Sequence, residues 1–299
     1  MTQGEPAPSV FVMGAGVVGT ALAAWLGRAG VPLVGLHGRQ SDELRSLSGV
    51  VASVGEIPDL ASTADVVVIA VRDERIPEVA KRLADEGRLR DHQVLLHTSG
   101  ALASAGVLAV ARPRVRGVGT LHPLLSFADA RLAIAGVPGV AFAVEGDASA
   151  REAATRIVRA LGARVVTLDA KGLPLYHAGA VLASNYVVAL GDLARRLLLS
   201  AGVPADEALP ALVPLMSSVV QNLAALGLPG ALTGPVERGD ASTVEAHLRA
   251  LAADAPELVG VYQTLGRDVL RLAREKSGLA PDVVARLASL FGAPPGDGS

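Results

Sequence analysis

Three polar residues interrupt an apolar stretch in the second half of the chain. Residues 174 to 190 read PLYHAGAVLASNYVVAL, and His177, Ser184 and Asn185 lie within that stretch. On a continuous helix His177 and Ser184 would lie about 20° apart and roughly 10 Å apart along the axis, with Asn185 about 80° round. His177 and Ser184 are too far apart to bond each other directly, but both could contact one ligand that lies along the helix. His177 would then donate a proton, and the side-chain amide of Asn185 would orient a carbonyl. The alternative, in which a buried His and Asn only satisfy neighbouring backbone groups, stays open.

A glycine motif follows the first apolar run of the chain. The segment GAGVVG comes directly after SVFVM and before the apolar helical pattern TALAAWLGRAG. At a strand-to-helix turn the first glycine permits a tight bend, the second admits a pyrophosphate to the backbone, and the third allows close packing of helix on strand. The phosphates would bind the free N–H groups at the helix N-terminus. We therefore assign Gly14, Gly16, Val17, Val18 and Gly19 to a dinucleotide site.

The end of the second apolar run indicates which dinucleotide binds. An NAD site places Asp or Glu there to bind the ribose hydroxyls, whereas this chain reads His37-Gly38-Arg39-Gln40-Ser41. The Arg39 guanidinium could bind a 2′-phosphate with two hydrogen bonds, and Ser41 could add a hydroxyl donor. The sequence therefore predicts NADP(H) rather than NAD(H). An Arg39 that merely faces solvent is the alternative.

Polar segments also follow three later apolar runs, at 71–74 (VRDE), 96–100 (LHTSG) and 121–127 (LHPLLSF). In an open α/β sheet the ligand crevice lies outside the carboxyl ends of the strands. We expect Val71 to border the cofactor, and Ser99 and Ser126 to contact the substrate. His97 and His122 are harder to place, since a histidine at a strand end more often satisfies a backbone group than it catalyses.

A loop between two predicted helices holds a candidate anion ligand. Residues 232–240 read LTGPVERGD. Arg238 could bind a substrate carboxylate or phosphate with two hydrogen bonds. It could equally pair with Glu237 or Asp240 and only hold the loop, and both interpretations stay open. Asp240 is expected to cap the helix that follows.

Short apolar runs and helical patterns alternate in the first half of the chain and predict an α/β class. The predicted strands form a parallel sheet that is buried on both faces, and they cover residues 9–13, 31–36, 64–71, 93–97, 139–146 and 163–168. Strand signals stop after Asp169, and helices are predicted over 149–161, 174–200, 206–226, 241–253, 256–275 and 281–291. We predict an N-terminal Rossmann NADP-binding domain (1–168), an all-helical substrate and dimerisation domain (169–292) and a disordered tail (293–299).

Composition argues against several functional classes. A net charge of -2 with 19% charged residues in 299 gives no electrostatic reason for nucleic acid or an anionic membrane as partner. The chain has no Cys, and its six histidines are dispersed, so we expect no metal site. Gly, Pro or charged residues interrupt the apolar stretches before the roughly 18 residues of a spanning helix, and the N-terminus lacks the pattern of a secretory signal. We expect a cytoplasmic protein with a small-molecule substrate.

The motifs together resemble one bacterial family. GAGVVG, ADVVVIAVRDERI, LHTSG, HPLLSF, YHAGAVLASNY and LTGPVERGD occur in one order over residues 10–262. The set resembles the family in which a Rossmann-like domain is joined to a domain of unknown function, number 2520. It is similar, more distantly, to ketopantoate reductase, pyrroline-5-carboxylate reductase and the 3-hydroxyisobutyrate and 6-phosphogluconate dehydrogenases. The resemblance implies NADP, a homodimer formed through the helical domain, and a site in the interdomain cleft.

The chain departs from those distant relatives at one catalytic position. They resemble one another in a lysine on the first long helix of the second domain, with an asparagine one turn later. Here Lys171 precedes Pro174, and His177 takes the place on the predicted helix.

Our hypothesis is an NADP(H)-dependent oxidoreductase that reduces the carbonyl of a small 2-oxo acid. Some members of the family look like an alternative ketopantoate reductase, which makes that acid the first to test. His177 would donate the proton, Asn185 would orient the substrate, and Ser184 and Lys171 would line the site. The alternatives are an imine reductase of the pyrroline-5-carboxylate type and a non-catalytic NADP(H)-binding sensor.

Overall fold

The chain divides into two compact units. The computed structural model describes residues 6–136 and 139–292. The first unit ends at Ser184 and the second begins at Asn185. The predicted boundary after residue 168 precedes helix α7 (Leu173–Ala183), which the structure places in the first unit. The predicted tail, 293–299, lies outside the described residues.

A seven-stranded sheet with the order β2-β1-β3-β4-β5-β6-β7 forms the centre of the first unit. Its strands are β1 (Val10–Met13), β2 (Leu33–His37), β3 (Val66–Ile69), β4 (Val94–His97), β5 (Gly117–Pro123), β6 (Ala141–Gly146) and β7 (Arg164–Thr167). Every residue of β1, β3 and β4 is buried, as expected of strands covered on both faces. The predicted Rossmann class is confirmed.

Helices cover the sheet on both sides. They are α1 (Val17–Arg28), α2 (Asp42–Ser48), α3 (Ile76–Asp85), α4 (Ser104–Val107), α5 (Ala130–Ala135), α6 (Ala148–Ala160) and α7. Alternate strand residues enter two separate apolar clusters, because successive side chains of a strand point to opposite faces. Val10 and Val12 pack in the cluster with α1 and α6, whereas Phe11 and Met13 pack in the cluster with α3.

The strand pair β5 and β6 differs from the predicted parallel sheet. β6 runs antiparallel to β5, whereas β7 runs parallel to β6. The segment after β5 does not cross back to the start of that strand. β6 begins beside the end of β5, where Phe142 pairs with Pro123. The prediction of an all-parallel sheet is wrong for this pair.

The second unit is helical throughout its described residues. Its helices are α8 (Asn185–Ser200), α9 (Ala205–Leu226), α10 (Ala241–Asp254), α11 (Val259–Ser277) and α12 (Pro281–Phe291). The last three pack on a common core that includes Leu270, Leu287 and Phe291. These spans agree with the predicted helices, except that a short 3-10 turn, Pro256–Leu258, precedes α11.

The predicted helix over residues 174–200 is broken at Ser184. Ser184 has φ -127 and ψ -76, which are outside the helical region. Its hydroxyl donates a 2.7 Å hydrogen bond to the Ala180 carbonyl, and back-bonding of this kind often bends helices. The common stripe predicted for His177 and Ser184 assumed one continuous helix, and that assumption is wrong.

Two helical segments are long and apolar enough to cross a membrane. They are Leu173–Ser200 and Ala205–Leu226. Pro210 and Pro214 lie inside α9 without ending it, so the expectation that such residues interrupt every long apolar stretch is wrong there. Length and composition alone are weak evidence for a membrane, because helices of soluble proteins pass the same test. Only 6% and 0% of the two apolar windows are buried, so most of this surface is uncovered in one chain.

Candidate functional site

The glycine motif forms the expected turn between β1 and α1. Gly14 has φ 116, and a methyl group there would lie 2.1 Å from the Ala70 carbonyl oxygen. A methyl group at Gly19 would lie 1.7 Å from the Gly14 carbonyl oxygen, whereas one at Gly16 would meet nothing within 4 Å. Two glycines are therefore required by close packing, and the middle one leaves open space beside the backbone.

The N-terminus of α1 fits an anionic group. α1 begins at Val17, its N-cap Gly16 offers no side-chain cap, and its first turn contains no acidic residue. The first N–H groups of the helix, including that of Val18, thus have no intrahelical acceptor and attract negative charge. Val71 borders this turn, since its Cγ1 would lie 2.9 Å from a methyl group at Gly14. The arrangement fits the pyrophosphate of a dinucleotide.

The carboxyl end of β2 provides the residues predicted to select the cofactor. His37 is buried there, and its Nδ1 lies 2.9 Å from Ser53 Oγ. Burial, with Arg82 second, lowers the pKa of His37 and keeps it neutral. Arg39 is exposed. Ser41 caps α2, because its Oγ accepts a 3.2 Å hydrogen bond from the Leu44 N–H, and its own O–H can still donate.

His122 and Tyr176 form a hydrogen-bonded pair at the carboxyl end of β5. His122 Nδ1 lies 2.9 Å from the Tyr176 hydroxyl, and both side chains are partly buried. The His177 ring is next to them, with its centroid 6.5 Å from that of His122. Burial, followed by His177, lowers the pKa of His122 to about 4, against a smaller opposing effect of Asp73. Burial raises the pKa of Tyr176 to about 12, so both partners are neutral near pH 7.

The sequence alone does not reveal this pair. The pattern around His122 predicts a loop instead of the strand β5, and nothing in the motif YHAGAVLASNY indicates that Tyr176 pairs with His122. A histidine at the penultimate residue of a strand was the available signal, since ligands bind at the carboxyl ends of such strands.

A buried polar network lies beside the pair. His97 Nε2 lies 3.2 Å from Thr120 Oγ1, and Thr120 donates a 3.1 Å hydrogen bond to Glu145 Oε2. The Ser104 N–H donates to the same carboxylate oxygen at 3.1 Å. Burial, with His122 second, lowers the pKa of His97 to about 4. His97 is therefore a neutral, structurally bonded histidine.

The predicted substrate and catalytic residues are distributed over both units. His177 lies beside His122 in the first unit. Lys171 is exposed in the turn before α7, and Ser126 is exposed in the loop after β5. Asn185 and Arg238 belong to the second unit. Their roles stay predictions.

Two other predicted residues have structural hydrogen bonds. Ser184 bonds the backbone of α7 at the helix break. Ser99 is 4% exposed, and its hydroxyl donates to Asp73 Oδ2 at 2.7 Å. Asp240, predicted as a cap, accepts a 3.0 Å hydrogen bond from the Thr243 N–H at the start of α10. Among the described residues, no group of three or more His, Cys, Asp or Glu could hold a metal ion.

Comparison with known proteins identifies both parts of the chain. Residues 3–123 match the Rossmann-like domain, and residues 140–269 match the domain of unknown function DUF2520. The chain is 32% identical over 271 residues to 4-amino-4-deoxyprephenate dehydrogenase of Streptomyces pristinaespiralis, covering 89% of this chain and 83% of the relative.

Solved structures share the fold. A protein of Thermotoga maritima matches with a TM-score of 0.69 and 24% identity, over 90% of this chain and 100% of its own. Pyrroline carboxylate reductase of Plasmodium falciparum, solved with NADP bound, matches with a TM-score of 0.58 and 12% identity, over 97% and 100%.

Proposed function

Because the chain belongs to the family that joins a Rossmann-like domain to DUF2520 and is an oxidoreductase that uses a nicotinamide dinucleotide, we propose that it reduces the carbonyl of a small 2-oxo acid with NADPH. Ketopantoate is the first acid to test. The observation that supports the proposal most directly is that an open glycine turn and a partly buried His–Tyr pair both lie at the carboxyl ends of the parallel strands.

The order of the strands supports the placement of the cofactor. Arg39 follows β2 and His122 ends β5, on opposite sides of the glycine turn after β1. Three strand spacings separate β1 from β5, or about 14 Å. A dinucleotide with its pyrophosphate at Gly16 would direct its adenosine towards β2 and its nicotinamide towards β5. The 2′-phosphate would then meet Arg39, and the reacting carbon would meet His122.

The hydrogen bond between Tyr176 and His122 suits proton transfer at a carbonyl oxygen. A neutral Tyr176 hydroxyl that donates to Nδ1 leaves the proton of a neutral His122 on Nε2. Nε2–H could then give its proton to the carbonyl oxygen while the Tyr176 hydroxyl passes its own proton to Nδ1, so that the ring stays neutral and Tyr176 is reprotonated from water. Bound NADPH would supply the hydride. His177, predicted from the sequence as the donor, is the second candidate for this proton.

The curated relative favours a second candidate substrate. At 32% identity, the relative's substrate, 4-amino-4-deoxyprephenate, is a carboxylate that this chain could oxidise with NADP+. An imine reductase of the pyrroline-5-carboxylate type is a further candidate, and the same assay distinguishes it. The alternative of a non-catalytic NADP(H)-binding sensor has no support, because the 32% identical relative is a dehydrogenase.

A substrate panel tests the proposal. Purified protein is incubated with NADPH and ketopantoate, other 2-oxo acids or pyrroline-5-carboxylate, and with NADP+ and 4-amino-4-deoxyprephenate, while NADPH absorbance is followed. We expect the highest kcat/KM with a 2-oxo acid. Turnover of the cyclic imine or of the prephenate analogue alone would replace the proposed substrate, and cofactor binding without turnover of any 2-oxo acid would contradict the proposal.

We also propose that the protein is a cytoplasmic homodimer formed through its helical unit. The support is the exposed apolar surface of α8 and α9. This surface includes Tyr186, Val188, Leu215, Val220 and Leu226. Large exposed apolar patches mark interaction sites, and a two-fold interface would pair this surface with its own copy.

A further inference from the structure

The turn after β4, residues 97–101, lies against the His122 ring. We call this segment the Ser99 turn. Gly100 in this turn is buried, and a methyl group there would lie 2.8 Å from both Cε1 and Nε2 of His122. Carbon atoms pack at about 3.5 to 4.0 Å, so a methyl group would displace the ring. Because Gly100 has no side chain, the His122 ring can occupy its present position.

Hydrogen bonds of Ser99 hold the turn. The Ser99 hydroxyl donates to Asp73 Oδ2 at 2.7 Å and accepts from the Ala101 N–H at 3.2 Å. A serine has one O–H donor, and here the carboxylate of Asp73 takes it. Ser99 is also only 4% exposed. The Ser99 hydroxyl therefore uses its single O–H donor for Asp73 and cannot donate a hydrogen bond to a substrate.

The buried network fixes the turn to β5. The Ser99 N–H donates to His97 Nδ1 at 3.2 Å, so a neutral His97 carries its proton on Nε2. That N–H donates to Thr120 Oγ1, which in turn donates to Glu145. Thr120 precedes His122 by two residues in β5, so both side chains lie on the same face of the sheet. The turn and the strand that carries His122 are therefore linked through side chains as well as through the backbone ladder.

We propose that Asp73, Ser99 and Gly100 are positioning residues for His122. The proposal rests on the proposed function for its catalytic consequence, but its structural part can be tested without a substrate. The Ser99 turn lies against the ring while Tyr176 bonds Nδ1, and together they hold the imidazole in one orientation. Ser99, predicted from the sequence to bind substrate, acts through His122.

A single methyl group provides the test. Gly100→Ala should push the ring away from Tyr176, because a side-chain end moves more easily than buried backbone. Gly106→Ala is the matched control, since a methyl group at that exposed position in α4 meets nothing within 4 Å. Ser99→Ala removes the bond to Asp73 without adding an atom.

The pKa of His122 is measured by NMR from the chemical shift of its Cε1–H proton as a function of pH. The signal that is absent from the spectrum of His122→Gln is assigned to His122. In the native protein we expect a pKa of about 4. Gly100→Ala should raise this pKa by about one unit or more, because a displaced ring regains water. Ser99→Ala should raise it in the same direction by less, and Gly106→Ala should leave it unchanged. Melting temperatures confirm that each variant folds.

An unchanged His122 titration in Gly100→Ala and Ser99→Ala would overturn the proposal. If Gly100→Ala does not fold, the pKa of His122 in Ser99→Ala alone tests the proposal. On a turned-over substrate, Ser99→Ala should lower kcat by about tenfold with little change in KM; a raised KM with native titration would show instead that Ser99 binds substrate. Absence of turnover in every variant and in the native protein would contradict the proposed function and leave the titration result standing.

Discussion

His122 is a neutral histidine at the carboxyl end of β5, where we propose that the nicotinamide binds. Burial lowers its pKa to about 4, and Tyr176 bonds its Nδ1. The same burial that makes protonation costly also excludes water from the hydrogen bond, which strengthens it. Among the residues of the site, we therefore assign the proton-transfer role to His122 and not to the predicted His177.

The pH dependence of the reaction should report the low pKa of His122. In the reductive direction, Nδ1 of His122 must be free to accept from Tyr176, so kcat should stay constant from about pH 8 to about pH 5 and fall by half near pH 4, where the ring becomes protonated. The measurement is kcat against pH with saturating NADPH and the 2-oxo acid. A fall in kcat near pH 4 that persists in His122→Gln would contradict this assignment.

Arg39 should select the cofactor. Arg39→Asp removes a charge-assisted hydrogen bond to the 2′-phosphate, worth roughly 1.5 to 3 kcal/mol, so NADPH affinity should fall by about tenfold or more while NADH affinity changes little. Fluorescence titration with both cofactors measures this. The control is Arg159→Asp at an exposed arginine of α6. Equal affinities of the native protein for NADPH and NADH would contradict the assignment.

The elements that were predicted correctly are those with strong local patterns. The strands β1, β3 and β4 are short apolar runs, and the glycine turn after β1 has a fixed spacing. β5 was missed because Gly117 and Gly119 weaken its strand pattern. Gly119 is required there by packing, since a methyl group would lie 2.8 Å from Ala150 Cβ in α6. That requirement arises from tertiary contact and leaves no trace in the local sequence.

The site was predicted in part for the same reason. Gly14, Gly16 and Gly19 were identified from their spacing, because each has a local role in the turn. The pairing of His122 with Tyr176 joins residues that are 54 positions apart, and no periodicity indicates such a contact. The break at Ser184 was also missed, since serine is tolerated inside helices as well as at their ends.

The histidine network at the ends of β4 and β5 should make the first unit sensitive to acid. His97 and His122 have pKa values lowered from 6.5 to about 4. Between these values the unfolded chain binds more protons than the folded chain, so stability falls as pH decreases from about 6.5 to about 4.

Below pH 4 the loss would approach about 3 kcal/mol per histidine. Denaturant unfolding at pH 7, 6 and 5 measures the slope of stability with pH. His97→Asn should reduce that slope, although it also lowers stability at pH 7 by breaking the network. The control His92→Asn alters an exposed histidine and should leave the slope intact. A native slope of zero over this range would contradict the buried, neutral state of both rings.

In the molecule as a whole, the exposed apolar surface of α8 and α9 is the basis of the proposed homodimer. Light scattering of the native protein at micromolar concentration should give twice the mass of one chain. Val220, which is 63% exposed in α9, should lie in the interface, where burial of a carboxylate would be costly.

Val220→Asp should therefore shift the protein to the monomer, and Val51→Asp, at a 67% exposed site of the first unit, should leave the dimer intact. A native monomer that sediments with lipid vesicles would indicate a membrane partner instead, and a native monomer that stays in solution would contradict the dimer.

Hydride transfer that requires His122 is the central feature of the proposed reaction. The decisive measurement is kcat for NADPH-dependent reduction of ketopantoate, or of the 2-oxo acid with the highest turnover, by the native protein, His122→Gln and His177→Gln. We expect His122→Gln to lower kcat by roughly 10² to 10⁴ with NADPH affinity unchanged, since general acid catalysis is lost and the phosphate site lies elsewhere. His177→Gln should retain more than about a third of native kcat. The reverse pattern, with His122→Gln active and His177→Gln inactive, would contradict the role of His122.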